Sequence, residues 1–215
     1  MNLSNVTLIA ISSVEIPQTI EALSISSRDL NFGDIKLVSH EKPNNLPSNI
    51  NYEYAPKINN IMDFNYYLFS EFGKHIETSH CLIVQYHGYI INPEMWEDSW
   101  LEYDCIGAPW PIKENSYIAN NGERVRVGNG GFTLRSKRLC ELPKKLSLPL
   151  KEEQGYWNED GNICCYYRKE LLENGVKYAP VEVAAKFSFE TLVPENQYLD
   201  KTFGFHRNIL PAGEK

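Results

Sequence analysis

Two adjacent acids, Glu159 and Asp160, follow a glycine-rich segment, Val127–Ser136 (VGNGGFTLRS), after a short gap. A carboxylate can take the proton from a hydroxyl as that oxygen attacks an electrophile, and general-base help of this kind is worth roughly 10²–10⁴-fold. Gly128, Gly130 and Gly131 let a backbone turn tightly and pass close to a bulky partner, where a Cβ would collide. With Asn129 they form a candidate binding floor beside the acids. Group transfer to a hydroxyl needs both parts, with Asp160 as first choice for the base and Glu159 as second. The plainer alternative is that both carboxylates only favour a helix N-terminus electrostatically.

Around the glycine segment stand Lys113, Arg124, Arg126, Arg135, Lys137 and Arg138, a local basic cluster on an acidic chain. Arg124, Arg126 and Arg135 could pair with phosphate oxygens in bidentate fashion; a solvated face is the competing account. Trp110 and Trp157 lie beside proline-rich and acidic motifs and are candidate pocket walls, able to stack on a base or a sugar face. Trp96 and Trp100, four apart, read as core packing. Glu190, at the end of an alternating Phe187–Glu190 segment, is a candidate for orienting a sugar hydroxyl.

The elements that would position these residues follow from apolar spacing. Val6–Ile11 is a nearly continuous apolar run of strand length, suited to a strand covered on both faces. Pro17–Leu23 has helical spacing with proline in the first turn. Asp34–Ser39 reads as a second strand, Lys42–Asn51 as a loop, Met62–His75 as a helix, and Cys81–Val84 as a third strand. Strand–helix repetition of this kind predicts a mainly parallel α/β sheet. Its ligands belong beyond the carboxyl ends of the strands, near Ser12, Ser13, Ser39, His40, Gln85, Tyr86 and His87. Beyond Gly88 the spacing predicts a short strand and a helix starting at Pro93, then a polar loop over Ile112–Glu123. Phe132 and Leu134 sit on a short strand that leads into a basic helix. A helix around Cys164–Glu173 and short strands near Tyr178 and Phe187 complete the prediction.

Composition bounds the function. The chain has 215 residues, 42% of them hydrophobic and 23% charged, as in ordinary globular proteins. A net charge of -7 argues against a general nucleic-acid binder, which needs a basic face to displace phosphate counterions. Five cysteines without CxxC spacing read as buried, reduced thiols. No stretch approaches the roughly 20 apolar residues of a membrane-spanning helix. The N-terminus lacks the order of a secretory signal, and a cytoplasmic location is expected.

Six segments in order then carry a resemblance: Val84–Pro93, Tyr103–Trp110, the glycine segment, Asn158–Asp160, Ala179–Glu190 and Phe203–His206. Together they resemble a bacterial and fungal family, named mainly as a domain of unknown function, that is placed with GT-A fold glycosyltransferases. The resemblance covers roughly residues 60–206. It implies one glycosyltransferase-like domain over residues 1–215, a GT-A-like (Rossmann-like) mixed α/β sheet flanked by helices, and transfer of a sugar from a nucleotide-sugar donor to a hydroxyl of a glycan or lipid-linked glycan. Asp160 as base favours inversion. A lipid-linked acceptor would bring peripheral membrane contact. The alternative function is a nucleotide-sugar- or carbohydrate-binding protein without turnover.

The resemblance also implies Mn2+ or Mg2+ bridging the donor diphosphate as a Lewis acid. The family often has an aspartate where His87 stands here, and hard cations prefer oxygen to imidazole. Three readings stay open at this point: His87 ligates a softer metal, it meets the diphosphate as a cation, or the chemistry runs without metal. His206 resembles a late histidine that completes the metal site in some GT-A enzymes.

Overall fold

A computed structural model describes residues 1–112, 117–152 and 158–207. Along the chain it gives β1 (Asn2–Ile11), α1 (Ile16–Ser26), β2 (Asn31–Ser39), β3 (Asn51–Tyr54), α2 (Ile61–Ser70) and β4 (His80–Ile83). Short strands β5 (Cys105–Ile106), β6 (Ala108–Pro109) and β7 (Val127–Gly128) precede β8 (Thr133–Ser136) and α3 (Lys137–Lys145). The last part holds α4 (Glu159–Gly161), α5 (Arg168–Glu173), α6 (Val181–Phe187), β9 (Ser188–Phe189) and β10 (Gly204–Phe205).

The main sheet runs β3-β2-β1-β4-β8-β5. The first four strands are parallel; β8 lies antiparallel to both of its neighbours. The apolar run of β1 explains its central place. Leu8 and Ala10 join one buried cluster with Leu23 of α1, while Ile9 and Ile11 join another with Tyr67 and Leu68 of α2. Successive strand side chains point to opposite faces, so a strand apolar at every position must be covered on both. The helices do this.

Helix ends are set by local chemistry. Pro17 sits in the first turn of α1, Asn60 accepts from the backbone N–H of Met62 and Asp63 at 2.9 Å each, and Ser136 accepts from Leu139 N–H at 3.1 Å. Asn60 and Ser136 are N-caps of the usual kind.

Four sequence expectations are revised. The Met62–His75 helix stops at Ser70 and continues as a tight 3-10 turn, Phe72–His75, where α3 crosses so closely that a Cβ on Gly73 would strike the Cys140 backbone. The segment after Gly88 forms a single bridge from Ile90 to Gly204 and two 3-10 turns, at Pro93–Met95 and Asp98–Glu102. The strand expected near Phe187 is present but short, β9 at Ser188–Phe189, and an unexpected helix, α6, runs up to it from Val181. The Cys164 helix starts as a π turn, Asn162–Tyr166, before α5. Within Ile112–Glu123, residues 113–116, including Lys113, lie outside the described residues; Ile118 bridges Arg124 just after them.

Trp96 and Trp100 pack in the core as read from their spacing. Trp100 is fully buried, edge-on to Phe187 at 5.2 Å and Phe203 at 5.3 Å. Phe132 joins the same aromatic cluster, 5.1 Å from Phe187, and anchors the glycine segment from below. All five cysteines are free and buried. No helix among the described residues is long and apolar enough to cross a membrane.

Candidate functional site

Strand β1 pairs with β2 on one side and β4 on the other, so the chain order changes direction between the carboxyl ends of β1 and β4. In α/β sheets a ligand crevice opens at such a point. Two cavities of about 310 Å³ each open here and share Ile61, Phe64 and Gln85 in their walls. The first is mainly apolar, walled by Ser12, Ser13 and Val14 after β1, Ile58 before α2, and Tyr86 after β4. The second is polar, walled by Asn65, His87, Asn129, Asp160, Glu190 and His206, with Gly130 and Gly131 in its floor. Of the predicted rim residues, Ser39 and His40 line neither cavity, because β2 lies one strand further out.

The glycine turn works by close approach, and its bulky partners are side chains of the protein itself. A Cβ on Gly128 would enter the Trp110 ring, one on Gly130 the Glu159 carboxylate, and one on Gly131 the His206 imidazole. Asn129 adopts a left-handed φ of 88°, a conformation asparagine tolerates better than most residues. Its Oδ1 accepts from the backbone N–H of Gly131 at 2.6 Å and of Phe132 at 3.3 Å, which fixes the turn.

The two acids diverge. Glu159 is buried, and its Oε1 pairs with Arg135 Nη2 at 2.8 Å, both side chains under 5% exposed (4% and 2%). Burial opposes the Arg135 charge, but the adjacent carboxylate outweighs it and holds the guanidinium protonated above its usual range. This corrects one expectation and narrows another. Arg135 lines neither cavity and is committed to Glu159, while Glu159 lines the polar cavity with its Oε1 held as that guanidinium's counter-ion. Asp160 lines the polar cavity, with Oδ1 accepting from Gly161 N–H at 2.7 Å. Burial, reinforced by the Glu159 and Glu190 charges, pushes its carboxyl up to about 7, a value suited to proton transfer near neutrality.

Other candidates fall elsewhere. Trp110 is 6% exposed and stacks on Tyr117 at 4.3 Å, away from both cavities. Arg126 donates to Trp110 O at 2.9 Å and pairs with Glu195 at 2.8 Å, so it braces that segment. Trp157 lies outside the described residues. The sequence reading missed Asn65, which is 1% exposed and lines the polar cavity from α2. A lone amide in the buried stripe of an apolar helix was the available signal.

The histidines meet, with ring centroids 4.7 Å apart. Burial and the neighbouring His206 push His87 down to about 4, which favours the neutral ring at pH 7. Its Nδ1 is buried without a partner among the described residues. Both nitrogens of His206 are taken, Nδ1 by Asn129 Nδ2 at 2.9 Å and Nε2 by Gln85 Oε1 at 3.3 Å. Among the described residues, no group of three or more His, Cys, Asp or Glu side chains could hold a metal ion. The donor set therefore does not fit a metal held by His87 and His206.

With this geometry in view, similarity to known proteins can be weighed. A crystal structure of an active-site mutant of LgtC matches with a TM-score of 0.53 and 11% identity, covering 95% of this chain and 88% of that one. The mannosyltransferase PcManGT from Pyrobaculum calidifontis, in complex with GDP-Man and Mn2+, matches with a TM-score of 0.47 and 14% identity, covering 81% of this chain and 53% of that one. A search of curated proteins found no match. The fold is thus GT-A-like: mixed α/β, with a mainly parallel central sheet flanked by helices. The sequence profile described as "Protein of unknown function (DUF5672)" matches residues 48–206, and the chain belongs to that family.

Proposed function

We propose that this protein is a glycosyltransferase that moves a sugar from a nucleotide-sugar donor to a hydroxyl of a glycan or lipid-linked glycan. The observation that carries the reading is Asp160, a carboxyl titrating near neutrality in a polar cavity that adjoins an apolar one at the crevice of a GT-A-like sheet. The apolar cavity suits a nucleobase, which is flat and largely uncharged. The polar cavity, rich in amides and carboxylates, suits the hydroxyls of a sugar.

In this reaction the Asp160 carboxylate takes the acceptor hydroxyl's proton as that oxygen bonds to the anomeric carbon. The bond from that carbon to the donor phosphate oxygen breaks, and the nucleoside diphosphate leaves with the electron pair. Attack opposite the leaving group inverts the anomeric centre. Glu190 stands in the same cavity to orient a sugar hydroxyl.

The test is a panel of nucleotide sugars, read first by thermal shift and then by transfer or donor hydrolysis. A ligand that binds only the native state raises apparent stability by RT ln(1 + [L]/Kd). Asp160→Asn should keep the shift and lose about 10²–10⁴-fold in turnover. Unchanged turnover removes Asp160 as base. Donor binding with no turnover in the wild type instead favours a nucleotide-sugar-binding protein, the reading to which the histidine in place of an expected acid points.

A further inference from the structure

We infer that Gln85 is a specificity-determining residue, fixed with its amide N–H groups presented to an acceptor oxygen that bridges the two cavities. The inference rests on the glycosyltransferase reading, under which that oxygen belongs to the donor diphosphate. Gln85 lines both cavities and so stands on the partition between them. Its backbone is pinned by reciprocal bonds with Gly88, N–H to O at 2.8 Å and O from N–H at 3.0 Å.

The orientation of its carboxamide follows from a chain of hydrogen bonds that starts in the glycine turn. Two backbone N–H groups donate to Asn129 Oδ1, so the Asn129 amide nitrogen faces outward as a donor. That nitrogen lies 2.9 Å from His206 Nδ1, which must therefore offer its lone pair. Glu190 Oε1 stands farther from the same Nδ1, at 3.3 Å, and the closer Asn129 donor sets the role of that nitrogen. An imidazole whose Nδ1 accepts carries its proton on Nε2. The Nε2–H then donates to Gln85 Oε1 at 3.3 Å. Turning the Gln85 amide over would set N–H against N–H.

The carbonyl end is thus occupied and the –NH₂ end remains for the ligand. No Lys or Arg lines either cavity among the described residues. The two N–H groups of Gln85 are accordingly placed to do for a phosphate oxygen what a cation does elsewhere, as neutral donors. Asn129 and His206 are positioning residues for this contact.

The experiment is calorimetric titration of the full chain with nucleoside diphosphates of each base and with the matching nucleosides. The wild type should bind one diphosphate. Gln85→Glu, which replaces the donor by a carboxylate of the same size, should weaken it by roughly 10- to 100-fold. Nucleoside binding should stay at the wild-type value, which also reports an intact fold. Asn129→Asp removes the donor to His206 Nδ1, and should weaken the diphosphate in the same direction. Combined with Gln85→Glu, it should cost less than the sum of the two, as expected for residues in one network. Diphosphate binding unchanged in Gln85→Glu overturns the inference alone, as does equal loss of nucleoside and diphosphate. A wild type that binds no nucleoside diphosphate overturns the glycosyltransferase reading, and does so before any substitution is made.

Discussion

At the scale of single residues, the neighbours Glu159 and Asp160 both line the polar cavity, but Glu159 is paired with Arg135 while Asp160 is raised by burial and by the carboxylates beside it. The ionic state of each sets a distinct expectation. The folded state holds the Asp160 proton up to about pH 7 against an ordinary value of 3.8, so it binds that proton more tightly than the unfolded chain. Its contribution to stability is complete below the unfolded value and is lost as pH rises towards 7. Asparagine mimics the protonated form at every pH. Asp160→Asn should therefore gain melting temperature over the wild type between pH 5 and pH 8, and a gap that stays flat would count against the shift. The same group, acting as base, should make kcat/KM rise with pH and level off above about 7. Arg135→Met leaves the Glu159 carboxylate buried and unpaired, and should cost about 3–5 kcal/mol in urea unfolding; replacing both by apolar residues should recover most of that. The acidic pair was legible as a motif, but the division of labour within it was not. Arg135 lies 24 positions before its partner, and no local spacing encodes that meeting.

At the scale of elements, β1 and β8 were legible because burial on both faces, or alternation, writes itself into the residue order. Strand β3 was not, since Asn51–Tyr54 contains no apolar run and joins the sheet edge through backbone pairing with β2. Helix α6 was misread because Phe187–Phe189 alternates, whereas Ala184 and Phe187, three apart, are buried on one helical face. Beneath β3, a buried network ties the sheet edge to α2. Lys36 Nζ donates to Glu53 at 2.5 Å and to His75 O at 2.9 Å, His75 Nδ1 pairs with Glu53, and His75 Nε2 meets Tyr67 OH at 2.8 Å. Burial lowers the His75 pKa despite Glu53, while burial opposes the Glu53 charge but Lys36 and His75 outweigh it and lower its pKa. Both depressed groups lose their stabilising contribution as pH falls, His75 from its ordinary value of 6.5 downward and Glu53 below 4.5. Glu53→Gln should cost roughly 1.5–3 kcal/mol at pH 7, with the deficit against wild type shrinking as the pH falls below 4.5 in chemical denaturation.

At the scale of the whole molecule, a chain of net charge -7 carries a polar cavity walled by Glu159, Asp160 and Glu190. Three members of the basic cluster that the sequence advertised are committed to carboxylates of the protein: Arg126 to Glu195, Arg135 to Glu159, and Arg138 to Asp104 at 2.7 Å. Charge counting along the chain cannot see such pairings, which is why the cluster read as a phosphate pocket. A polyanionic ligand approaching this face is opposed by the field of the protein, and salt screens that field over a Debye length of about 8 Å at 0.15 M. Nucleoside diphosphate affinity should accordingly hold or tighten when sodium chloride is raised. A steep loss with salt would reveal a cationic subsite.

The glycine turn has a consequence in time as well as in space. Its three clearances are filled by Trp110, Glu159 and His206, so the turn can close only after the chain has been made almost to residue 206. Contacts of such long sequence separation are slow to form, and domains emerge from synthesis N-terminal first. The parallel strands β1–β4 can pair early, whereas the crevice matures last. In refolding from urea, far-UV ellipticity should return before ligand-binding capacity does. A chain stopped after Phe187, lacking the residue that fills the space over Gly131, should recover the first signal and never the second.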